Sequence, residues 1–221
     1  MLRPGRVLTV FAPKGGVGKS TLATNLLVAA RRSGLDAIGV DLDAQGSFLT
    51  WARDRARRGL EPEAQVVGTR VSDWRDALAR ERARELAIVD TPPGIDDDER
   101  LAAMTELARA SSLVLVPTLP HGASLRKLVD FGAALRERFG VDVVFVLNQT
   151  IPGRSILADA RDLLRRRGAL CPVEIPQRDA IMRAIDVGGA AVEGVPATGG
   201  AALLDLWGFV AKRLGVQGGA A

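Results

Sequence analysis

Cysteine and histidine are almost missing from this 221-residue sequence, which has one of each and no tyrosine. One thiol, Cys171, cannot form a disulfide within the chain or supply a CxxC metal or iron–sulfur site. One imidazole, His121, argues against a histidine-rich zinc site. No apolar run approaches the ~18 residues of a membrane-spanning helix, and the apolar stretch near the N-terminus is too short for a signal peptide. These absences exclude disulfide scaffolds, cysteine-ligated clusters and membrane-spanning helices.

Lysine is scarce as well, because 26 of the 30 basic residues are arginines. Against 26 acidic residues, they leave a net charge of +4 and an isoelectric point near 9.9. With 47% hydrophobic and 25% charged residues, the composition is that of a folded chain. A basic balance alone is weak evidence for a nucleic-acid partner. We therefore expect the positions of the charges to be more informative than their sum.

Short apolar runs alternate along the chain with longer segments of helical periodicity. Several runs are apolar at nearly every position, which is typical of strands buried on both faces of a parallel sheet. The predicted strands are Val7–Ala12, Ala37–Asp41, Gln65–Thr69, Leu86–Asp90, Ser112–Pro117, Val141–Asn148 and Pro172–Ile175. The predicted helices are Lys19–Ser33, Phe48–Arg58, Ser72–Arg84, Asp97–Ala110, Ser124–Phe139, Ile156–Arg167, Asp179–Val187 and Gly200–Leu214. This alternation predicts a doubly wound α/β fold, a mostly parallel sheet with helices on both faces. We expect one domain over residues 1–214 and a flexible tail over 215–221.

A glycine-rich segment follows the first predicted strand: Lys14-Gly15-Gly16-Val17-Gly18-Lys19-Ser20-Thr21. A strand, a loop ending in GK[ST] and a helix form the context of a phosphate-binding P-loop. The glycines let backbone N–H groups turn toward a phosphate, and the helix offers the same anion its positive end. We predict that the segment from Gly15 to Thr21 binds the phosphates of a nucleotide. Lys19 would contact the β- and γ-phosphates, Ser20 would ligate Mg²⁺ and Thr21 would bind the α-phosphate.

Two carboxylates, Asp41 and Asp43, lie at the end of the second predicted strand. Side chains at i and i+2 point to the same side, and at the carboxyl edge of the sheet both would face the phosphates. One could orient Mg²⁺ through water while the other polarises the attacking water. A solvated turn is the alternative, because this short pattern is common.

A third carboxylate, Asp90, ends the apolar run Leu86–Asp90. An apolar strand that ends in aspartate is typical of a Walker B element, whose carboxylate holds Mg²⁺ through a water. The following Thr91-Pro92-Pro93 stiffens the turn.

Taken together, these segments resemble the ParA/MinD family of ATPases. KGGVGKST resembles that family's deviant Walker A motif, DLDAQGS its D-x-D-P-Q-G-[NS] motif and DTPPG its D-x-P-P motif. Ala44 replaces the usual proline, which should reduce loop rigidity more than it affects the chemistry. The resemblance implies that Lys14 reaches across a dimer to the partner's phosphates, a second cation delivered in trans. It also assigns Asp43 to hydrolysis, and Asp41 to Mg²⁺ and switch geometry.

The base of the nucleotide has candidate contacts further along the chain. The amide of Asn148, at a strand end, can pair with the donor–acceptor edge of adenine, although a strand-end cap is the alternative. The family has an adenine-reading asparagine at such a position. Residues 175–179 resemble the family's loop that packs on the base, which implies that Pro176 and Arg178 contact it.

The resemblance covers about residues 6–214 and implies a single-domain, Mg²⁺-dependent ATPase. In this family, ATP-bound homodimers bind DNA non-specifically, and a ParB-like or other cargo-adaptor protein stimulates hydrolysis. The chain is then expected in the cytoplasm, associated with the nucleoid, positioning a plasmid, a chromosome or a protein cluster.

Arginines offer a DNA-binding surface in the window 153–183. Our candidates for phosphate contacts are Arg154, Arg161, Arg165, Arg166, Arg167 and Arg183. A solvated helix face is the alternative. A second basic strip, at positions 53, 55, 57 and 58, lies near the predicted nucleotide switch and could contact a partner subunit or an adaptor.

Two other functions use the same motifs. MinD-like relatives bind membranes through a C-terminal helix, and an apolar stripe is present here: Leu203, Leu206, Trp207, Val210 and Leu214. This helix starts directly after a glycine turn, which favours packing on the sheet, and a membrane partner is not expected. The second alternative is a biosynthetic enzyme that phosphorylates a small carboxylate. That enzyme would need a substrate pocket and no partner protein.

Overall fold

Seven strands form one sheet in the part of the chain that the computed structural model describes, residues 5–94, 98–120, 124–167, 169–194 and 199–216. They are β1 (Arg6–Val10), β2 (Ala37–Asp41), β3 (Val66–Gly68), β4 (Leu86–Asp90), β5 (Leu113–Thr118), β6 (Val143–Leu147) and β7 (Ala169–Leu170). Their order is β3-β2-β4-β1-β5-β6-β7, and every neighbouring pair is parallel. The predicted doubly wound α/β fold is confirmed, with β1 between β4 and β5 at the centre of the sheet.

Helices join the strands on both faces of the sheet. They are α1 (Lys19–Arg32), α2 (Ser47–Arg57), α3 (Trp74–Arg80), α4 (Asp98–Ala110), α5 (Ser124–Phe139), α6 (Ser155–Arg167), α7 (Asp179–Asp186) and α8 (Gly200–Leu214), with short 3₁₀ turns at Val71–Asp73 and Ala191–Glu193. The predicted helix over residues 72–84 is wrong at its end, because the α-helix stops at Arg80. Beyond the helix the chain runs to Glu85, whose N–H donates at 3.0 Å to the carbonyl of Asp36, the residue before β2.

The seventh strand is displaced from its predicted position. We expected Pro172–Ile175, but β7 is Ala169–Leu170, opposite Val144 and Phe145 of β6. Beyond it, only Cys171 and Ile175 continue to donate to β6, at 2.7 and 2.9 Å. The Val173 N–H is the next one that alternation would direct toward β6, but it bonds to Sγ of Cys171 at 3.4 Å, so the regular ladder stops there.

The core has two layers, one on each face of the sheet. Leu8 and Val10 point toward α1 and α8, whereas Val7 and Phe11 point toward α4 and α5. Alternation within one central strand therefore fills both layers. The core holds β1 rigidly, and the glycine-rich segment that follows β1 starts from a fixed position.

The apolar stripe of α8 belongs to the first of these layers. Its five residues (Leu203, Leu206, Trp207, Val210 and Leu214) are all buried, and α8 packs along α1. The core therefore already covers the surface that a membrane anchor would need. Across the described residues, we find no helix whose length and apolar character would let it span a bilayer.

Arg55, which belongs to the second basic strip, is not available to a partner subunit or an adaptor, contrary to expectation. Its side chain is only 1% exposed, and its guanidinium forms two hydrogen bonds of 2.9 and 2.7 Å with the carboxylate of Glu193. It also donates to the carbonyls of Pro62 at 3.0 Å and Gly188 at 3.3 Å. Arg55 therefore ties α2 to the segment after α7 and offers no charge to a partner.

Replacing Arg55 with methionine is expected to destabilise the protein by about 3 kcal/mol, because the Glu193 carboxylate loses its charged partner and two carbonyls lose a donor. Urea unfolding would measure the loss. Arg53→Met is the matched control, since Arg53 lies on the same helix and is exposed. Equal unfolding midpoints for the two variants would contradict a stabilising role for the buried pair.

Candidate nucleotide-binding site

The glycine-rich segment forms a loop between the carboxyl end of β1 and the first turn of α1. Gly16 (φ +74°) and Gly18 (φ +88°) adopt the left-handed conformation, and Gly18 is the N-cap of α1. The first turn of α1 has no acidic residue and the N-cap forms no side-chain hydrogen bond. The N–H groups at this end therefore remain available to an anion, as a P-loop requires.

Two side-chain amides hold the outer side of this loop. Asn148 donates from Nδ2 to the carbonyl of Val17 at 2.7 Å, and Gln149 donates from Nε2 to the carbonyl of Gly16 at 3.0 Å. A Cβ on Gly18 would collide with the Asn148 amide. Glycine is therefore required at position 18 both for its backbone conformation and for its close contact with Asn148.

Lys19 lies at the start of α1 with its side chain buried. Its Nζ donates to the carbonyl of Lys14 at 3.5 Å, within the loop itself. Burial lowers the pKa of Lys19, while the nearby carboxylates of Asp90 and Asp43 act in the opposite direction. This incompletely solvated ammonium can gain a polyphosphate as its counter-ion.

Ser20 and Asp90 form the candidate magnesium site. The Ser20 hydroxyl donates to Oδ2 of Asp90 at 2.5 Å, while Oδ1 is buried and has no hydrogen-bond partner among the described residues. Burial raises the pKa of Asp90 to about 7. An orphaned carboxylate oxygen beside a hydroxyl fits Mg²⁺, which prefers oxygen ligands. When bound, the ion would neutralise charge on the phosphate oxygens.

Asp41 lies beside Asp90, its partner in the register of β2 and β4. Its carboxylate accepts backbone hydrogen bonds from Asp43 at 3.0 Å and Leu49 at 2.9 Å. Burial raises the pKa of Asp41, and these backbone donors oppose the shift. Asp41 thus fixes the loop after β2 to the start of α2, and its role in switch geometry stays a prediction. Its contact with Mg²⁺ stays a prediction.

Asp43 lies in that loop and is partly exposed, with its Oδ1 accepting the Gln45 N–H at 3.0 Å. It borders an open groove of about 700 Å³ between the Asp43 loop, the segment before α3 and the start of α4. A water and a partner protein could both reach this carboxylate. The assignment of Asp43 to hydrolysis remains a prediction.

A cavity of about 270 Å³ lies beside the P-loop, against α1 and α7. It brings together all the residues predicted to bind the base or the α-phosphate, namely Thr21, Asn148, Pro176 and Arg178. Apolar side chains close it: Leu22, Ile175, Ile181, Met182 and Leu203. A flat, apolar base with polar edges suits such a lining.

The candidate DNA-binding arginines are not equivalent. Arg161 is held by Glu174 through two hydrogen bonds of 2.6 and 2.9 Å. The side chains of the others are exposed: Arg154, Arg165, Arg166 and Arg183. The side chain of Arg167, like the whole of His121, lies outside the described residues. Contact of these four exposed cations with DNA phosphates stays a prediction.

Gln149 is the site residue that sequence reasoning missed. Only its position next to Asn148 could have suggested a role, because the contact with Gly16 joins positions 133 residues apart.

A parallel sheet with a glycine-rich anion loop after its central strand, and a serine–aspartate pair beside that loop, defines a P-loop nucleotide-binding protein. Residues 8–190 match the family described as the CobQ/CobB/MinD/ParA nucleotide binding domain, and the chain belongs to that family. The resemblance to the ParA/MinD ATPases is thereby confirmed.

Curated relatives and solved structures agree with this assignment. The chain is 33% identical to the maintenance of carboxysome distribution protein A of Gloeobacter kilaueensis over 182 residues, which are 81% of this chain and 77% of the relative. It is 28% identical to the chromosome-partitioning ATPase Soj of Thermus thermophilus over 186 residues, 69% of this chain and 72% of Soj. The Mg-ADP complex of the septum site-determining protein MinD from Pyrococcus horikoshii has the same fold, with a TM-score of 0.71 at 20% identity over 95% of this chain and 97% of MinD.

Proposed function

We propose that the chain is a Mg²⁺-dependent ATPase of the ParA type, which positions or segregates a cargo by cycling between nucleotide states. Two copies pair around bound ATP, the dimer binds DNA non-specifically, and a ParB-like or other cargo-adaptor protein stimulates hydrolysis. The protein then acts in the cytoplasm on the nucleoid. Relatives named for carboxysome distribution and chromosome partitioning support this class of function.

The proposal rests on the different environments of two lysines. Lys19 is buried against the P-loop, whereas Lys14 is exposed and its ammonium has no hydrogen bond or ion pair within the described structure. A cation at the edge of a phosphate site, unused by its own subunit, suits contact with a nucleotide held by a second copy. Asp43, beside the open groove, would position the attacking water.

Exposed arginines before and on α6, together with one on α7, supply the DNA contacts. Arg154, Arg165, Arg166 and Arg183 can each meet a phosphate without reading a base, and dimerisation doubles their number. Arg161 would have to exchange Glu174 for a phosphate, so we expect it to contribute less than the others.

ATP is expected to strengthen binding to a non-specific DNA duplex about 10²-fold relative to ADP, because only the ATP dimer engages two arginine surfaces at once. Asp43→Ala, which should hold the dimer in its ATP state, would show the difference most clearly in fluorescence anisotropy. The double variant Arg165→Ala/Arg166→Ala should weaken binding and its salt dependence. Arg138→Ala, at an exposed position on α5, is the control.

Equal DNA affinity with ATP and ADP would contradict the proposal. Hydrolysis that requires a small carboxylate, and no DNA or adaptor protein, would indicate the biosynthetic alternative instead. If Asp43→Ala hydrolyses ATP at the wild-type rate with DNA and adaptor present, the catalytic assignment is wrong.

A further inference from the structure

Gln149 has an unusual backbone conformation. Its φ of +54° is the only positive φ of a non-glycine residue in the described parts of the chain. Glycine, asparagine and aspartate visit this left-handed region readily, but a long unbranched side chain rarely does. An outlier of this kind persists only when the surrounding structure fixes it.

The residues on either side of Gln149 are both anchored. The Asn148 N–H donates to the carbonyl of Thr118 at 2.9 Å, which keeps position 148 in the ladder of β6. The Thr150 N–H donates to the carbonyl of Ile175 and the Gln177 N–H to the carbonyl of Thr150, both at 3.0 Å. Gln149 therefore turns the chain between the sheet and the loop that lines the base cavity.

The side chain of Gln149 uses this turn to reach the P-loop. A loop that aims its N–H groups inward at a phosphate must turn carbonyls outward, and outward carbonyls need donors of their own. Asn148 supplies one to Val17 and Gln149 supplies one to Gly16. The left-handed backbone at position 149 is what brings the second amide within 3.0 Å of the loop.

We propose that Gln149 is a positioning residue that holds the P-loop in its phosphate-binding shape through the carbonyl of Gly16. The inference deepens the proposed function, because it rests on the loop being a polyphosphate site. It goes beyond it in giving Gln149, which lies after β6 and also lines the base cavity, a role in phosphate affinity.

Two substitutions separate the effect of the side-chain amide from the effect of the backbone conformation. Gln149→Gly removes the amide and suits a positive φ, while Gln149→Asn also suits a positive φ but shortens the amide by one methylene. Neither should lower the thermal unfolding midpoint. Both should weaken pyrophosphate and ADP binding about three- to tenfold, as expected for one lost hydrogen bond. AMP, which has one phosphate and relies more on the base cavity, should lose less affinity than pyrophosphate does.

Calorimetric titration of the full chain with pyrophosphate, ADP and AMP gives these affinities. Hydrogen exchange of the ligand-free protein adds a readout that a purely structural role would not confine to one loop: N–H groups at positions 15–19 should exchange faster in Gln149→Gly. Gln65→Gly, at an exposed position just before β3, is the control for an added glycine.

The proposal is overturned if Gln149→Gly binds pyrophosphate like the wild type, or if pyrophosphate and AMP weaken equally alongside a loss of stability. It is also overturned if the wild type binds no pyrophosphate. None of these measurements needs dimerisation or DNA. If ATP does not change DNA binding, the proposed function is refuted, but the pyrophosphate and AMP affinities of the Gln149 variants can still be interpreted.

Discussion

Replacing Asp90 with asparagine is expected to stabilise the nucleotide-free protein while abolishing its response to Mg²⁺. The carboxylate is buried, one oxygen has no partner among the described residues, and its pKa is raised to about 7. Holding it ionised at pH 8 costs about 2–4 kcal/mol of folding stability, a cost that asparagine avoids. The same substitution removes the charge that would attract the metal.

The pH dependence of stability follows from the same shift. The unfolded carboxyl ionises near its ordinary pKa of 3.8, whereas the folded one retains its proton up to about pH 7. Between these values the folded state binds more protons than the unfolded state, so this group makes stability fall as pH rises. Asp90→Asn should lack that part of the slope.

Melting curves from pH 4 to 8, with and without Mg-ATP, would test both effects. Asp205→Asn, at an exposed position on α8, is the control. The assignment of Asp90 fails if Mg-ATP raises the melting temperature of Asp90→Asn as much as that of the wild type, or if the variant is less stable at pH 8.

The elements around the phosphate loop were predictable because local patterns determine them. A buried strand, a glycine-rich turn and a helix follow one another along the chain, and the carboxyl ends of parallel strands meet at one edge of the sheet. Asp41 and Asp90 therefore lie together, as their strand-end positions indicate. The pairing of Asp41 with backbone N–H groups of α2 was not predictable, because it depends on the path of the loop.

The burial of Arg55 agrees with a helical pattern in the sequence. Phe48, Trp51, Ala52 and Arg55 follow the spacing of one helix face, and all four are buried. Helical periodicity thus places Arg55 in the core, where a charge requires a partner. That partner, Glu193, is 138 positions away and no local pattern identifies it.

Two further features depend on tertiary contacts. The regular ladder beside β6 stops after Cys171, where the Val173 N–H bonds to Sγ of Cys171, although the apolar run there has the composition of a strand. The conformation of Gln149 follows from anchors on both sides of it, at Thr118 and Ile175. Neither the run nor the glutamine has a local signature that distinguishes it from an ordinary strand or turn.

Replacing Lys14 with alanine is expected to leave ATP binding within a few-fold of the wild type but to reduce ATP turnover about 10³- to 10⁵-fold, the effect of losing a cation supplied in trans. The Lys14 ammonium is exposed and has no partner in its own subunit among the described residues. Lys19→Ala should instead lose binding, because its buried ammonium lies within the loop that receives the phosphates.

Nucleotide titration, sedimentation and steady-state hydrolysis would separate these outcomes, with Lys212→Ala on the exposed side of α8 as the control. Lys14→Ala should remain monomeric with ATP.

A mixture of Lys14→Ala and Lys19→Ala gives the decisive comparison. The first variant binds ATP and the second still carries Lys14, so a mixed dimer has one complete site, and the mixture should regain part of the turnover that each variant lacks alone. If the mixture stays inactive and Lys14→Ala loses ATP binding as fully as Lys19→Ala, Lys14 acts within its own subunit, since an intact Lys14 on a partner then brings nothing to the bound nucleotide.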